Sequence, residues 1–206
     1  MSKIALTGNA LGSGTLTLAA PNTNTDRTLT LPDEAGTVLT SASTTVLPKG
    51  APLFMATSYS TQTISSGVQT VLVLDLKRYD TNNCYNNTGS TVTLNGISTP
   101  AYAFAPNVAG YYLVNTQLRA DSNVNYNYIY TVLMLNGVRI KRMHEETIPS
   151  TSARNNQITD SHLIYLNGVS DYIQFATEIG ASGTIYVGYS VFDYNNHFSA
   201  HFVRAA

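Results

Sequence analysis

The alternation of apolar and polar residues divides the chain near residue 50. Thr15–Leu18 and Thr28–Leu31 both read Thr-Leu-Thr-Leu, a period of two that is typical of short strands with one apolar edge. Two leucines per strand bury too little surface to offset the entropy lost on ordering. We therefore expect this segment to pair with copies of itself, to dock on another protein or to stay mobile. The polar stretch 41–50 predicts a linker.

Residues 51–206 contain all the aromatic residues and a succession of apolar runs. The strand candidates are Thr70–Leu74, Tyr111–Leu118, Ile129–Leu135, Leu163–Leu166, Tyr172–Ala176, Ile185–Tyr189 and Phe198–Phe202. The dipeptide Asn-Gly occurs at 95–96, 136–137 and 167–168 and favours tight hairpin turns. About eight strands without a helical period predict an all-β sandwich or jelly roll.

The chain is poor in charge. Only 11% of its 206 residues are charged, against about 25% in an ordinary soluble protein. Eleven Lys and Arg against twelve Asp and Glu leave a net charge of −1, so we expect neither nucleic acid nor an anionic membrane as the partner. No apolar run approaches the roughly 20 residues that span a bilayer, and Met1–Asn9 lacks the features of a signal peptide. The single cysteine, Cys84, excludes an internal disulfide and a Cys-rich zinc site.

Motifs for catalysis are weak. His144–Glu146 lacks the second histidine of a metalloprotease helix, and Gly12–Gly14 is not a nucleophile elbow. Glycan cleavage usually needs two positioned carboxylates, but the adjacent Glu145 and Glu146 would point to opposite faces of an extended strand. We predict that the chain is not an enzyme, with no catalytic residue and no cofactor.

Two groups of residues could ligate a metal ion. His197 and His201 would share a strand face, where packing or hydrogen bonding is the favoured role. Asp80, Asn82 and Asn83 could bind calcium through oxygen, but turn formation is favoured. We therefore predict no metal site in a single chain.

Arg139, Lys141 and Arg142 form the only basic cluster. Arg139 and Lys141 would line one face of a hairpin arm, a solvated edge that discourages strand addition. Contact with an anionic glycan or with a neighbouring subunit is the alternative.

The order of motifs in the second part resembles that of the trimeric jelly-roll heads of complement C-one-q and tumour-necrosis-factor-like proteins. The matching residues run from Tyr79–Tyr85 to Phe104–Tyr112, with an Asn-x-x-Tyr stretch, then Phe-x-x-Pro and Gly-x-Tyr. The strand–Asn-Gly–strand at Val132–Arg142 and the closing strand Phe198–Val203 also fit. The resemblance implies a jelly-roll β-sandwich head over 51–206 that assembles as a homotrimer.

The first fifty residues resemble a segment that recurs in bacteriophage fibres and other virion proteins. The resemblance rests on Gly-x-Gly-Thr-Leu-Thr-Leu and on Thr28–Leu39. It implies that residues 1–50 are an extended, β-rich attachment segment and linker. The predicted virion-anchoring residues are Leu16, Leu18, Leu29, Leu31, Pro32 and Gly36.

Tyrosine is abundant where charge is missing, and its large ring with a polar tip suits subunit interfaces. Tyr126, Tyr128 and Tyr130 have one parity and would share a face. The alternative is that the aromatic residues fill the core of one chain. We predict a trimer interface of Tyr112, Tyr128, Tyr130, Tyr189, Phe198 and Phe202. Tyr126 and Asn127 are predicted in receptor-facing loops.

Together the two resemblances predict a bacteriophage virion protein, assembled in the host cytoplasm. It would be a trimeric fibre or knob, anchored by its N-terminus to capsid, portal-proximal or tail subunits, that binds a host surface glycan or protein. The alternative is a capsid or tail decoration or adaptor protein that stabilises the particle without binding a receptor. A glycan depolymerase and a secreted cellular ligand are further alternatives.

Overall fold

The computed structural model describes residues 11–13, 24–26, 51–122, 126–147, 155–188 and 196–205. The chain divides into two units, Met1–Val38 and Leu39–Ala206, and only the second is described over most of its length. The predicted linker and all six predicted anchoring residues lie outside the described residues: Leu16, Leu18, Leu29, Leu31, Pro32 and Gly36. The attachment role of this segment stays a prediction.

The described part of the second unit, here called the head, is built of antiparallel strands and contains no helix. The first seven strands are short: β1 (Leu53–Thr57), β2 (Gln62–Ile64), β3 (Thr70–Val71), β4 (Leu76–Asp80), β5 (Val92–Leu94), β6 (Ile97–Thr99) and β7 (Ala103–Phe104). The later strands include the long ones: β8 (Gly110–Ser122), β9 (Tyr126–Leu135), β10 (Val138–Thr147), β11 (Asn155–Leu166), β12 (Ile173–Ala181), β13 (Ile185–Val187) and β14 (His197–Arg204).

The strands form two main sheets. In sheet A, β8 pairs on one side with β11 and on the other with β14 and β13, and the sheet continues through β1 to β4 and through β13 to β2. Sheet B has the order β10-β9-β12-β3, with β7 also paired to β12. The chain passes from β8 in sheet A to β9 and β10 in sheet B, back to β11, and again to β12. These crossings between two antiparallel sheets define a jelly-roll β-sandwich, and the predicted fold class is confirmed.

An aromatic cluster fills the space between the sheets. Phe54 stacks on Tyr85 and Phe104, with ring centroids 4.6 and 4.4 Å apart. Phe198 meets Phe54 edge to face at 4.9 Å, and Tyr112 meets Phe104 in the same way at 5.7 Å. Stacked and edge-to-face arrangements are the favoured aromatic geometries.

The trimer-interface predictions for Tyr112 and Phe198 are wrong, because both side chains are fully buried in the core of one chain. Both lie on the inward parity of their strands, β8 and β14. The Tyr112 hydroxyl donates to the Val108 carbonyl at 2.7 Å, and burial raises the pKa of this phenol well above its usual value.

Two of the three Asn-Gly turns are confirmed as hairpins. Asn95-Gly96 joins β5 to β6 and Asn136-Gly137 joins β9 to β10, and all four residues have positive φ. The prediction for Asn167-Gly168 is wrong, since β11 pairs with β8 whereas β12 pairs with β9. The segment instead crosses between the sheets.

A bulge in β9 separates the three tyrosines that were predicted to share a face. Tyr126 is opposite Ala181 and Tyr128 is opposite Gly180, so Asn127 is the extra residue. Tyr126 therefore points into the core and is fully buried, while Tyr128 and Tyr130 are partly exposed. The prediction that Tyr126 is receptor-facing is wrong; Asn127 is exposed.

Candidate functional site

The outer face of sheet A carries three cross-strand rows that are almost free of charge. One row places Leu53, His201, Leu113 and Leu163 side by side across four strands. The next consists of Met55, Ser199, Asn115 and Ser161, and the third pairs Arg204, Tyr111 and Tyr165. No Asp, Glu or Lys stands in these rows, which we call the uncharged face.

Apolar and aromatic groups dominate one half of the uncharged face. Leu163 is 52% exposed and Tyr165 is 43% exposed. The Tyr111 and Tyr165 rings meet edge to face at 5.6 Å, and the Arg204 guanidinium lies 5.1 Å from the Tyr111 ring centre. Leucine and tyrosine exposed together over several strands are typical of interaction surfaces.

The other half of the uncharged face is polar. A cavity of about 220 Å³ opens there, lined by Asn115, Thr116, Thr159, Asp160, Ser161 and His197. The Ser161 hydroxyl donates to Asn115 Oδ1 at 2.8 Å. His197 is half-buried, and desolvation lowers the pKa of its imidazole below 6.5. The site offers hydrogen-bonding groups; its one carboxylate, Asp160, has the inward parity of β11 and accepts from the Thr131 hydroxyl of sheet B at 2.6 Å.

A second surface lies on the outer face of sheet B. It consists of Tyr128, Tyr130, Arg139, Arg142 and Glu178, which we call the tyrosine–arginine cluster. The two rings stack with centroids 4.6 Å apart and planes inclined by 21°. The Arg142 guanidinium lies 4.0 Å from the centre of the Tyr130 ring, within the range of a cation–π contact.

Glu178 ties the tyrosine–arginine cluster together. Its Oε1 accepts from the Tyr128 hydroxyl, and its Oε2 accepts from Arg139 Nη1, both at 3.4 Å. Desolvation, followed by the nearby Glu178 carboxylate, raises the pKa of the Tyr128 phenol.

Two bulges in β10 arrange the basic residues of this surface. Arg139 is opposite Met134 and Lys141 is opposite Leu133, which leaves Ile140 as an extra residue; a second shift follows Arg142. Arg139 and Arg142 therefore point outward, whereas Lys141 points to the β11 edge, where its Nζ lies 3.5 Å from His162 Nδ1. The prediction that Arg139 and Lys141 share a face is wrong.

The predicted interface residues do not form one surface. Tyr128 and Tyr130 lie on sheet B, remote from the uncharged face of sheet A, and Tyr189 lies outside the described residues. Phe202 is partly buried and packs edge-on against Tyr112, with ring centroids 5.5 Å apart. Roles in a trimer for Tyr128, Tyr130 and Phe202 stay predictions.

The residues of the uncharged face were missed, although the sequence carried a signal for them. In Tyr111–Val114 and Leu163–Leu166 the apolar residues occupy both parities of the strand. A strand that is apolar on both faces is expected to be covered on both. The apolar residues on the second parity of these strands are the signal that could have indicated Leu113 and Leu163.

The point where the chain enters the head and the predicted receptor-facing residue Asn127 lie at opposite ends. Pro52 accepts a hydrogen bond from the Phe202 backbone and Leu53 pairs with His201, so the chain enters the head beside its last strand. We call this the proximal end. Asn127, at the start of β9, lies at the opposite, distal end, where β8 finishes.

The carboxylates near His144 have separate partners. Glu145 pairs with Arg142 at 3.6 Å and Glu146 with His144 at 3.9 Å, on opposite faces of β10. In the described ranges, no three or more His, Cys, Asp or Glu side chains are grouped so that they could hold a metal ion. The same part of the chain contains no helix long and apolar enough to cross a membrane.

The head is thus an antiparallel jelly roll with two partly apolar outer surfaces. No protein-family model and no curated protein sequence matches the chain. Solved structures of similar fold include murine APRIL, with 12% identity and a TM-score of 0.49 over 74% of this chain and 99% of that one. Eiger TNF from S. frugiperda has 13% identity and a TM-score of 0.43 over 76% and 93% of the two chains. PRD1 vertex protein P5 has 15% identity and a TM-score of 0.41 over 75% and 96%. The likeness concerns the fold alone.

Proposed function

We propose that the chain is a non-enzymatic virion protein of a bacteriophage, a homotrimeric fibre or knob. Residues 1–50 attach it to capsid or tail subunits, and the head binds a glycan or protein of the host surface. The observation that carries the proposal is the uncharged face of sheet A. The three rows of this face expose Leu163 and Tyr165 and contain no acidic residue or lysine, and such a surface is poorly suited to permanent contact with water.

A second copy of the same chain is the occupant that best fits the uncharged face. Its hydroxyl, amide and imidazole groups complement one another without charge repulsion, and closed rotational symmetry is the rule for soluble oligomers. The resemblance of the motif order to C-one-q and tumour-necrosis-factor-like heads supports three copies.

The direction of the chain supports attachment through the N-terminal segment. The chain enters at the proximal end, where Pro52 accepts from the Phe202 backbone and Leu53 pairs with His201 of the last described strand. Asn127 lies at the distal end, which is not the end at which the chain enters the head. Three copies would present three such ends, and tethering raises the avidity of individually weak contacts.

Deletion of residues 1–40 tests the attachment role in the phage that encodes the chain. The truncated chain should fold and assemble but be missing from purified particles, and these particles should adsorb poorly to host cells. Particles that lack the chain, adsorb normally and lose stability would instead establish the decoration or adaptor role. Incorporation of the truncated chain at the normal level would contradict N-terminal attachment.

A further inference from the structure

His201 lies at the centre of the uncharged face. It belongs to the middle one of the three rows, with Leu53 of β1 on one side and Leu113 of β8 on the other, and Leu163 of β11 follows Leu113. His201 is exposed in one chain. Because neighbouring strands lie only about 4.8 Å apart, a second copy that covers Leu53 and Leu163 also covers His201. The imidazole is therefore in water in the free chain and loses that water when copies assemble.

The residues around His201 on this face are uncharged except for one arginine. In the row of His201 and the two rows beside it, the remaining residues of the four strands and their neighbour on β4 are Ser199 and Arg204 of β14, Met55 of β1, Tyr111 and Asn115 of β8, Ser161 and Tyr165 of β11, and Tyr79 of β4. Arg204 is positively charged. Further along β8, Arg119 has the same parity six residues beyond Leu113, a distance of about 20 Å along the strand.

The nearest acidic side chains of sheet A have the opposite parity. Asp80 is opposite Phe54, is 2% exposed on its side chain and accepts from the Cys84 and Tyr85 backbones. Asp160 accepts from the Thr131 hydroxyl. A protonated His201 therefore has a cation in a neighbouring row and no carboxylate in its own row or in either row beside it.

The other three histidines of the chain have different surroundings. His197 is on the same face as His201, but it is half-buried within one chain, where desolvation already lowers the pKa of its imidazole. His162 lies at the β11 edge, 3.5 Å from Lys141 Nζ, and His144 lies on sheet B, 3.9 Å from Glu146. Protonation of His197 thus acts on the folding of one chain, whereas protonation of His201 acts on the contact between chains.

We propose that His201 makes the assembly of the head reversible with pH, so that the copies associate when its imidazole is neutral and separate when it is protonated. This inference rests on the proposed assembly through the uncharged face and adds its regulation. A charge that is buried without a partner is strongly unfavourable, and a trimer would bury three.

The sign of the effect follows from proton linkage. The free chain binds a proton at His201 more readily than the assembled chain, because only the assembled chain buries the imidazole. Assembly is therefore complete above the range in which imidazoles titrate and is lost as the pH falls through that range. With three protons taken up per trimer, the association constant decreases by at most about a thousandfold for each pH unit.

Sedimentation equilibrium of the full chain at pH 8.0 and pH 5.0 tests the inference. We expect a trimer at pH 8.0, folded monomers at pH 5.0, and a trimer again when the pH is returned to 8.0. Circular dichroism of the same samples shows whether the sheets persist at pH 5.0, which separates dissociation from unfolding.

Two substitutions of the exposed His201 give opposite expectations. His201→Gln, which is polar but cannot be protonated, should remain a trimer at both pH values. His201→Lys, which is charged at both, should be a folded monomer at pH 8.0. His144→Gln is the matched control, since it removes a histidine from sheet B, and it should dissociate at pH 5.0 as the unaltered chain does.

The outcomes keep this inference apart from the proposed assembly. A chain that is a trimer at both pH values overturns the pH switch and leaves the assembly standing. The switch is also overturned if His201→Gln dissociates at pH 5.0 like the unaltered chain, if His201→Lys is a trimer at pH 8.0, or if the copies separate only when the sheets unfold. A monomer of the unaltered chain at pH 8.0 overturns the proposed assembly and the switch with it.

Discussion

At the scale of single residues, Asp80 shows how one carboxylate fixes a turn. Its side chain is 2% exposed and accepts the backbone N–H groups of Cys84 and Tyr85 at 2.8 and 2.9 Å. Lys77 approaches the same carboxylate at 3.0 Å. Backbone donors occupy the oxygens, in agreement with the turn-forming role favoured from the sequence.

Asp80→Ala should lower the free energy of unfolding by about 2–4 kcal/mol, because two backbone donors lose their buried acceptor. Lys77→Ala removes only a partly exposed ion pair and should change it by less than about 1 kcal/mol. Urea unfolding of both variants measures the difference. Equal losses would contradict the turn-fixing role of Asp80.

His197 makes stability depend on pH. Its pKa in the folded chain lies below 6.5 because of desolvation, and its cross-strand neighbours Thr57 and Gln117 are uncharged. The unfolded chain therefore takes up the proton first, so stability is complete above about pH 6.5 and falls as the pH decreases below it.

Comparison of the urea midpoint at pH 7.5 and pH 5.0 tests this. His197→Gln should lose less stability than the unaltered chain over that interval. Part of the decrease should remain, since desolvation followed by the charge on Lys141 also lowers the pKa of His162. An unchanged decrease in the variant would show that His197 does not contribute.

At the scale of elements, bulges and crossings set the limit of what the sequence could predict. The prediction Tyr111–Leu118 covers most of β8, whereas Leu163–Leu166 covers only the last third of β11, because residues 155–162 are mostly polar. The faces on which Tyr126 and Lys141 lie were predicted wrongly, because one extra residue in a strand reverses the parity of the residues beyond it. The extra residues, Asn127 and Ile140, have no sequence feature that differs from an ordinary strand residue. Asn167-Gly168 has the local chemistry of a hairpin turn, yet pairing with distant strands decides its path.

The crossing at Gly168 is a tightly packed junction. Gly168 has a φ of 70°, and a Cβ there would lie 2.4 Å from the Ala109 nitrogen and 2.6 Å from the Val108 carbonyl carbon. Gly96 also has a positive φ, of 81°, but a Cβ there would meet nothing within 4 Å. Comparison of the two positions therefore separates the cost of a positive φ, which both share, from the cost of a steric clash, which only Gly168 has.

Gly168→Ala should destabilise the head by about 3 kcal/mol or more, because both backbones must move. Gly96→Ala should cost about 1 kcal/mol, the strain of positive φ alone. Thermal unfolding of both variants provides the comparison. A loss at Gly168 no greater than that at Gly96 would contradict the packing of this junction.

At the scale of the whole molecule, the composition shows that charged residues are scarce. It does not show which surface of the head lacks them. The sequence predicted that outer faces are covered, but placed Tyr112 and Phe198 there because either parity of an apolar strand could face outward. The structure assigns these two to the core and Leu113 and Leu163 to the outer face. Register between distant strands, which no local pattern contains, decides between them.

Leu163→Lys should therefore separate the copies without unfolding the head. Leu163 is already 52% exposed in one chain, so a lysine is tolerated there, but three buried charges in a trimer are not. Val68→Lys is the control, since Val68 is 51% exposed and lies outside sheet A. It should leave assembly unchanged.

Sedimentation equilibrium of the intact chain at micromolar concentration is the most direct test of the account. We predict a single species with three times the 22.2 kDa mass of one chain, which Leu163→Lys converts to monomer and Val68→Lys does not. A stable monomer of the unaltered chain would contradict the account, because the uncharged face would then be in lasting contact with water.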